Sequence, residues 1–329
     1  MMRRLRFWLR WSLRDLRRRW LLVLTLGLVV ALATGVSAGL GSMETWRIRS
    51  NDASFARLHM HDLRVSLAAE GTVPAGALDA AAAAIPRSRL VAATQERLIR
   101  PTQVDASVPG GSILVPGKLV GVPLVGPASD IDTRFVQKGR DLRPSDTGKA
   151  VAVVEGNFGE HHGLPVPSDV RLAGGQRVRV VGQVLQPEQF LVTRPGADFG
   201  AEAGYAVLYA SLPTVQSLSA RAGQVNELVL TLVPGADPAI VEAELRQTLA
   251  QRLPDVGVTF TQRADEDVHR VLYEDAHSDQ QLVDIFAWLL LAGAAFASFN
   301  LVTRVVESQR REIGIGMALG VAPARLGIR

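Results

Sequence analysis

Two apolar runs, each long enough to cross a bilayer, bracket a polar middle of 241 residues in this chain of 329. No other feature limits its architecture as strongly. Residues 20–40 carry no charge, and residues 282–306 are mostly apolar over 25 positions. At about 1.5 Å per residue, helices of this length span the ~30 Å hydrocarbon core of a membrane. Residues 1–20 hold eight arginines against one acid, Asp15, and Arg304, Arg310 and Arg311 flank the second run. Positive charge stays on the cytoplasmic side, so both ends are expected in the cytoplasm and residues 41–281 outside it.

In the basic leader, residues 1–19, Arg3, Arg4, Arg6 and Arg10 alternate with Leu5, Phe7, Trp8, Leu9 and Trp11. That pattern suits either an amphipathic helix on an anionic leaflet or a solvated run of charge. Val36, Ser37 and Ala38 form a passable signal-peptide cleavage site. The apolar segment exceeds the ~7 to 15 residues of a signal-peptide core, however, and retention as a membrane helix is the expectation.

The middle holds 23 basic and 28 acidic side chains, a net of −5, although the whole chain is +4. Its basicity therefore belongs to the membrane flanks, and nucleic acid is excluded as the expected partner in favour of the lipid bilayer. The chain has no cysteine, which excludes disulfides and thiolate metal sites.

Two parts of the middle share one pattern. Residues 62–67 alternate as a half-buried strand, residues 75–85 form an alanine-rich helix stopped by Pro86, and residues 90–99 return as a strand. Later, residues 226–232 alternate, Asp237 and Pro238 open a helix that runs to Leu253 before Pro254, and residues 256–263 form another strand. Two such strand–helix–strand units predict an α+β fold with one split βαβ-type lobe. Between them, from about residue 130 to 223, short valine-rich strands at 150–154, 170–172, 177–185 and 205–209 alternate with Gly/Pro turns, which predicts an inserted β-rich lobe. The extracytoplasmic domain is thus expected to be two-lobed, flanked by two membrane helices that continue as helical stalks. Val268, Val271, Leu272 and Ala276 keep helical spacing into the second apolar run, and residues 43–58 extend the first, with Trp46 as an interfacial anchor.

Residues 306–326 read VESQRREIGIGMALGVAPARL. This run resembles the FtsX-like, MacB-type permeases of ABC transporters, in which E-x-x-x-REIG-x-x-x-ALG leads into the short cytoplasmic helix that meets the ATPase subunit. Glu307, Arg310, Arg311, Glu312, Ile313, Gly314, Ala318, Leu319 and Gly320 stand in or beside that pattern. Met317 departs from it, since many members carry a basic residue there. In the middle, Gly163 and Leu164 fit the family's GL-x-x-G-D pattern, while its Gly-Asp pair is represented only by Ser168 and Asp169. The resemblance implies a multi-pass bacterial inner-membrane permease without enzymatic activity. It implies a MacB-like extracytoplasmic domain at 41–281 and the start of a permease domain at 307–329. The partners it implies are a cytoplasmic ABC ATPase, which binds the ATP, and a second permease copy or homologous half. Export, lipoprotein release and mechanotransmission all occur in the family. Its members carry at least two further membrane helices, so the sequence is expected to be a fragment of a longer permease or a truncated reading frame.

Elsewhere the residues offer little chemistry. No phosphate-binding loop, G-x-S-x-G elbow or H-E-x-x-H pair occurs, and no catalytic, cofactor or metal residue is expected. His59, His61, His161 and His162 read as surface histidines, and Asp265, Glu266 and Asp267 as dipole partners of a first helical turn. A two-helix sensor has the same topology but needs a heptad-patterned signalling helix, which Gly314, Gly316, Gly320 and Pro323 interrupt. A structural adaptor would need residues 282–306 buried as a core helix, against their length.

Overall fold

A computed structural model of the chain describes residues 17, 20–68, 71–107, 112–191, 204–308 and 310–318. It divides into two compact units, Met1–Ile48 with Glu274–Arg329, and Arg49–Tyr273. The molecule is α+β, with a mixed sheet domain flanked in sequence by two long apolar helices.

The first unit contains α1, Trp20–Leu40, the start of α2, Met43–Arg57, and most of α7, Asp267–Ser308. A two-residue turn at Gly41 and Ser42 separates α1 from α2, bridged by Gly41 N–H to Ser37 O at 2.9 Å and Trp46 N–H to Ser42 O at 3.0 Å. Only 6 % of the apolar window of either long helix is buried, and Leu24, Leu28, Phe286, Trp288 and Leu289 are all exposed. A core helix of a soluble domain would bury such a surface, and a lipid-facing one would not. Below the apolar run, Arg47 pairs with Asp275 at 2.5 Å and with Asp279. The Glu44 backbone N–H donates to Gln280 Oε1 at 3.1 Å.

In the second unit the alternating patterns form the expected strands. β1, Leu63–Leu67, α3, Ala77–Ala83, and β3, Val91–Asp105, make one split βαβ unit; β11, Glu227–Leu232, α6, Pro238–Arg252, and β12, Val258–Gln262, make the other. They interlock in the order β12-β1-β11-β3, every adjacent pair antiparallel. Leu63, Val65, Leu228 and Leu230 face Leu78, Ala81, Val241, Leu245 and Leu249 of the helices in a buried core. Asp237 Oδ1 accepts from Ala239 N–H at 2.9 Å at the start of α6, with Pro238 at its first position, as a capped N-terminus requires.

The β-rich part is not a separate sheet. β3 is 15 residues long, and past Arg97 it leaves β11 and pairs with β4, Leu114–Val122. The sheet then continues through β9, Ala206–Ser211, β6, Val151–Glu155, β8, Arg177–Leu185, and β5, Phe135–Gly139, while β7, Ser168–Leu172, pairs with β3 and β8. The second half of β3 and the whole of β4 lie upstream of the expected β-rich segment. Pro101 and Pro116 lie within this ladder, opposite Lys118 and Gln103, without disrupting it, as prolines placed off its donor positions do. One face of this part packs Leu119, Val154, Phe158, Val178, Val180 and Leu208; the other packs Val120, Val153, Val184, Val207 and Tyr209.

Candidate functional site

Because side chains alternate across a strand, the register that sends Leu63, Val65, Leu228 and Leu230 to the helices sends the residues between them to the opposite face. There Glu227 lies opposite both Ser66 and Arg97, with Arg64 and Gln95 one step along their strands. Three segments close over this polar face. Asp132 follows the 3-10 turn Pro127–Asp130, Glu188 sits in the 3-10 turn Pro187–Gln189, and Glu266 immediately precedes α7. His61 enters from the residues before β1.

The result is a buried node of charge. Arg97, His61 and Asp132 are at most 1 % exposed. Arg97 donates through Nη1 to Glu188 Oε1 at 2.9 Å, through Nη2 to Asp132 Oδ2 and through Nε to Gln95. The His61 imidazole lies between two carboxylates, with Nδ1 2.9 Å from Asp132 Oδ2 and Nε2 3.1 Å from Glu266 Oε1. Glu266 also accepts from Arg64. Asp132 Oδ1 accepts from the His61 backbone N–H at 3.0 Å, and Arg263 donates to His61 O at 2.9 Å. Both ring nitrogens of His61 face anionic acceptors, so the ring is held as the doubly protonated imidazolium.

Burial alone would push the His61 pKa down. The charge and hydrogen bonds of Asp132, with Glu266 and Glu188, overcome it and raise it to about 10. Burial would raise Asp132, but His61 and Arg97 hold it well below the usual carboxylate range, and Arg97 and His61 likewise lower Glu188 against its own burial. A buried ion network of this kind gains little net stability over an apolar core, since desolvation offsets most of the attraction. Its consequence is specificity: if one partner shifts, charges are stranded in a low-dielectric interior.

Beside the node, the first turns of α7 dock onto the end of α2. Phe55, Met60 and Val268 form a small core flanked by Phe190, Leu272 and Tyr273. His269 stacks on Tyr273 at 4.0 Å and on Phe55 at 5.5 Å, and the Tyr273 hydroxyl donates to Asp52. Glu266 and this aromatic stack thus root α7 in the domain by charge and by packing.

His61, Asp132 and Glu188 offer donor atoms within 4.8 Å of one another, close enough for a cation. Arg97 already donates to both carboxylates, and both nitrogens of His61 face carboxylates. The positive charge of the cluster is carried by protonated side chains, and the donor set fits a guanidinium rather than a metal ion.

Two sequence expectations are corrected here. His61 is not a surface histidine but a wholly buried one, because the strand that follows it inserts directly under the closing turns. Glu266 is not a solvated dipole partner: it is 3 % exposed and turns inward to His61 and Arg64, leaving Asp267 to open α7. Asp132, Glu188 and Arg97 were not anticipated. A signal for Arg97 existed in Gln95, Glu96 and Arg97, three polar residues in the centre of a strand; Asp132 and Glu188 sit in turns, where single acids carry none.

The residues expected to meet an ATPase lie at the other end of α7. Glu307 is in its last turn and exposed. Arg310, Arg311, Glu312, Ile313, Gly314 and Ala318 belong to α8, Arg310–Ala318, in which Arg310, Arg311, Gly314 and Ala318 are exposed. Leu319 and Gly320 lie outside the described residues. These residues belong to the first unit and the buried node to the second.

No protein-family model matches the chain, and no curated protein matches it. Among solved structures, it is similar over 70 % of its length to the periplasmic region of MacB from Actinobacillus actinomycetemcomitans, with 95 % of that chain covered, 10 % identity and a TM-score of 0.44. The extracellular domain of the noncanonic ABC-type transporter YknZ from Gram-positive bacteria matches over 60 % of this chain and 99 % of its own, at 13 % identity and a TM-score of 0.41. A domain of a putative permease protein from Porphyromonas gingivalis matches over 65 % of this chain and 97 % of its own, at 13 % identity and a TM-score of 0.38.

Proposed function

We propose that the chain is the membrane subunit of an ABC transporter of the MacB/FtsX type, coupling ATP hydrolysis by a separate ATPase to motion of an extracytoplasmic domain. One observation carries this reading: α7 is a single unbroken helix from Asp267, beside the node, to Ser308, and α8, which bears the REIG run, begins at Arg310. A helix of 42 residues measures about 63 Å at ~1.5 Å per residue, enough to cross the bilayer and project beyond it.

In this account Arg310, Arg311 and Glu312 contact or orient the ATPase, with Glu307 at the membrane exit. Gly314 and Gly320 allow close helix approach, and Ile313, Ala318 and Leu319 supply the apolar side of the contact. ATP stays with the partner, so no nucleotide site is required of this chain. A second permease copy or homologous half completes the assembly. The buried node then serves as the rigid attachment through which displacement of α7 reaches both parts of the sheet. The work done is export, lipoprotein release or mechanotransmission.

Affinity capture of the tagged, membrane-expressed chain in detergent tests the reading. It should recover an ATPase with a phosphate-binding loop, and the double reversal Arg311→Glu with Glu312→Arg should lose it while the chain remains inserted. An intact chain that recovers no ATPase, or recovers it equally after the reversal, contradicts the coupling role and favours a two-helix sensor.

A further inference from the structure

The mixed sheet ends in two edge strands, β12 and β5, and they are built differently. At β5 a register irregularity between Val136 and Lys138 breaks the pairing with β8, and Lys138 puts a charge into the edge. Bulges and edge lysines keep other strands from adding to a sheet. β12, with the sequence VTFTQ, has no charge, no proline and no irregularity in its pairing with β1.

The ladder with β1 fixes which backbone groups of β12 point away from the sheet. Ala68 N–H donates to Gly257 O at 2.7 Å and Arg263 N–H to Asp62 O at 3.0 Å, at the two ends of one regular register. Backbone groups alternate in direction along a strand. Gly257, Thr259, Thr261 and Arg263 therefore face β1, and Val258, Phe260 and Gln262 turn their N–H and C=O groups outward. Among the described residues, no hydrogen bond beyond the ladder reaches these outward groups. The Val258 and Phe260 side chains pack against the helical core, while Thr259 and Thr261 lie opposite Ser66 and Arg64 on the other face.

We propose that β12 receives an extended segment of another polypeptide as an added strand, its main chain bonded to Val258, Phe260 and Gln262. In such strand addition the main-chain hydrogen bonds supply affinity and alternate side chains supply selectivity. Thr259 and Thr261 favour threonine or another β-branched residue beside them. On the opposite face the Arg246 guanidinium lies 4.3 Å from the Phe260 ring centroid, which disfavours a basic residue there. The segment is therefore uncharged, with alternating β-branched side chains. Two features argue against a second copy as the occupant. Edge-to-edge pairing of a five-residue strand offers far less than the ~1,200 Å² that stable association of two folded proteins buries, whereas a peptide needs no further surface. In the register of greatest overlap, self-pairing would also set Phe260 opposite its copy and bring the two Arg246 guanidinium groups together, and like charges so placed are destabilising. The inference goes beyond the coupling role and does not depend on it.

The test is amide NMR of the full chain in lipid nanodiscs, titrated with a short peptide of alternating threonine and valine. Alternate residues of the peptide are N-methylated, which blocks one of its edges against self-association; a control peptide is N-methylated throughout. The first peptide should give saturable shifts at the Val258, Phe260 and Gln262 amides and slow their hydrogen exchange about fivefold or more, as one net backbone hydrogen bond does. The control should do neither. Val258→Pro, which removes an outward N–H without touching the ladder to β1, should weaken binding by about the same factor. No saturable response, or an equal response to the two peptides, overturns the proposal whether or not the variant folds. Protection of the same amides without peptide, rising with the number of chains per nanodisc, assigns the edge to a second copy and also overturns it.

Discussion

Arg97 sits where three segments distant in sequence meet: it is on β3, Asp132 and Glu188 come from separate turns, and all three are buried. Replacing it with methionine removes the guanidinium and strands two carboxylates in a dry interior. Arg97→Met should cost about 3–5 kcal/mol, read as a lower urea midpoint of the sheet domain. His61 makes a prediction about pH. Its folded pKa, about 10, lies above its ordinary value of 6.5. A raised folded pKa means the stabilisation is complete below 6.5 and is lost as pH rises towards 10. Thermal stability of the chain in detergent should therefore fall across that window, and His61→Asn should flatten the slope. An unchanged slope in the variant would mean that the imidazolium is not what titrates. At this scale the sequence was least legible. A histidine before a strand and lone acids in turns look alike whether buried or solvated, because their burial is decided by segments that come together only in the fold.

Among the elements, the split βαβ units were readable because their apolar residues recur at strand and helix spacing and prolines mark the helix ends. The long β3 was readable only to Ile99, where Pro101 hid its continuation. Glu96 shows how such a strand also serves a helix. Its carboxylate accepts from the N–H groups of Leu78 at 2.9 Å, Asp79 at 3.0 Å and Gly76. α3 has no side-chain cap of its own, since Gly76 stands at its N-cap with φ 91°, so a carboxylate from the neighbouring strand satisfies the free amides and the dipole. Burial pushes the Glu96 pKa up and these hydrogen bonds oppose it. Glu96→Ala should cost about 1–3 kcal/mol, as for hydrogen bonds to a charged group. Asp237→Ala, at the more exposed cap of α6, should cost about 0.5–2 kcal/mol. Chemical denaturation of the two variants checks the order; an equal or reversed cost would remove the cross-strand cap from the account.

For the whole molecule, the claim on which the others rest is that α1 and α7 cross a membrane, with the sheet domain on one side and α8 on the other. The segment proposed to meet the ATPase could be picked out in the sequence because it is a local motif; the buried node could not, because it is assembled from β1, β3, β11 and two turns. The sequence contains no cysteine, so a single introduced thiol reports one position without background. Asp255→Cys places it on an exposed turn of the domain and Met317→Cys on exposed α8. The decisive measurement is labelling of each variant by a membrane-impermeant maleimide in intact spheroplasts and again after permeabilisation. The account predicts that position 255 labels in intact cells and position 317 only once the membrane is opened. Labelling of both before permeabilisation, or protection of 255, would contradict it.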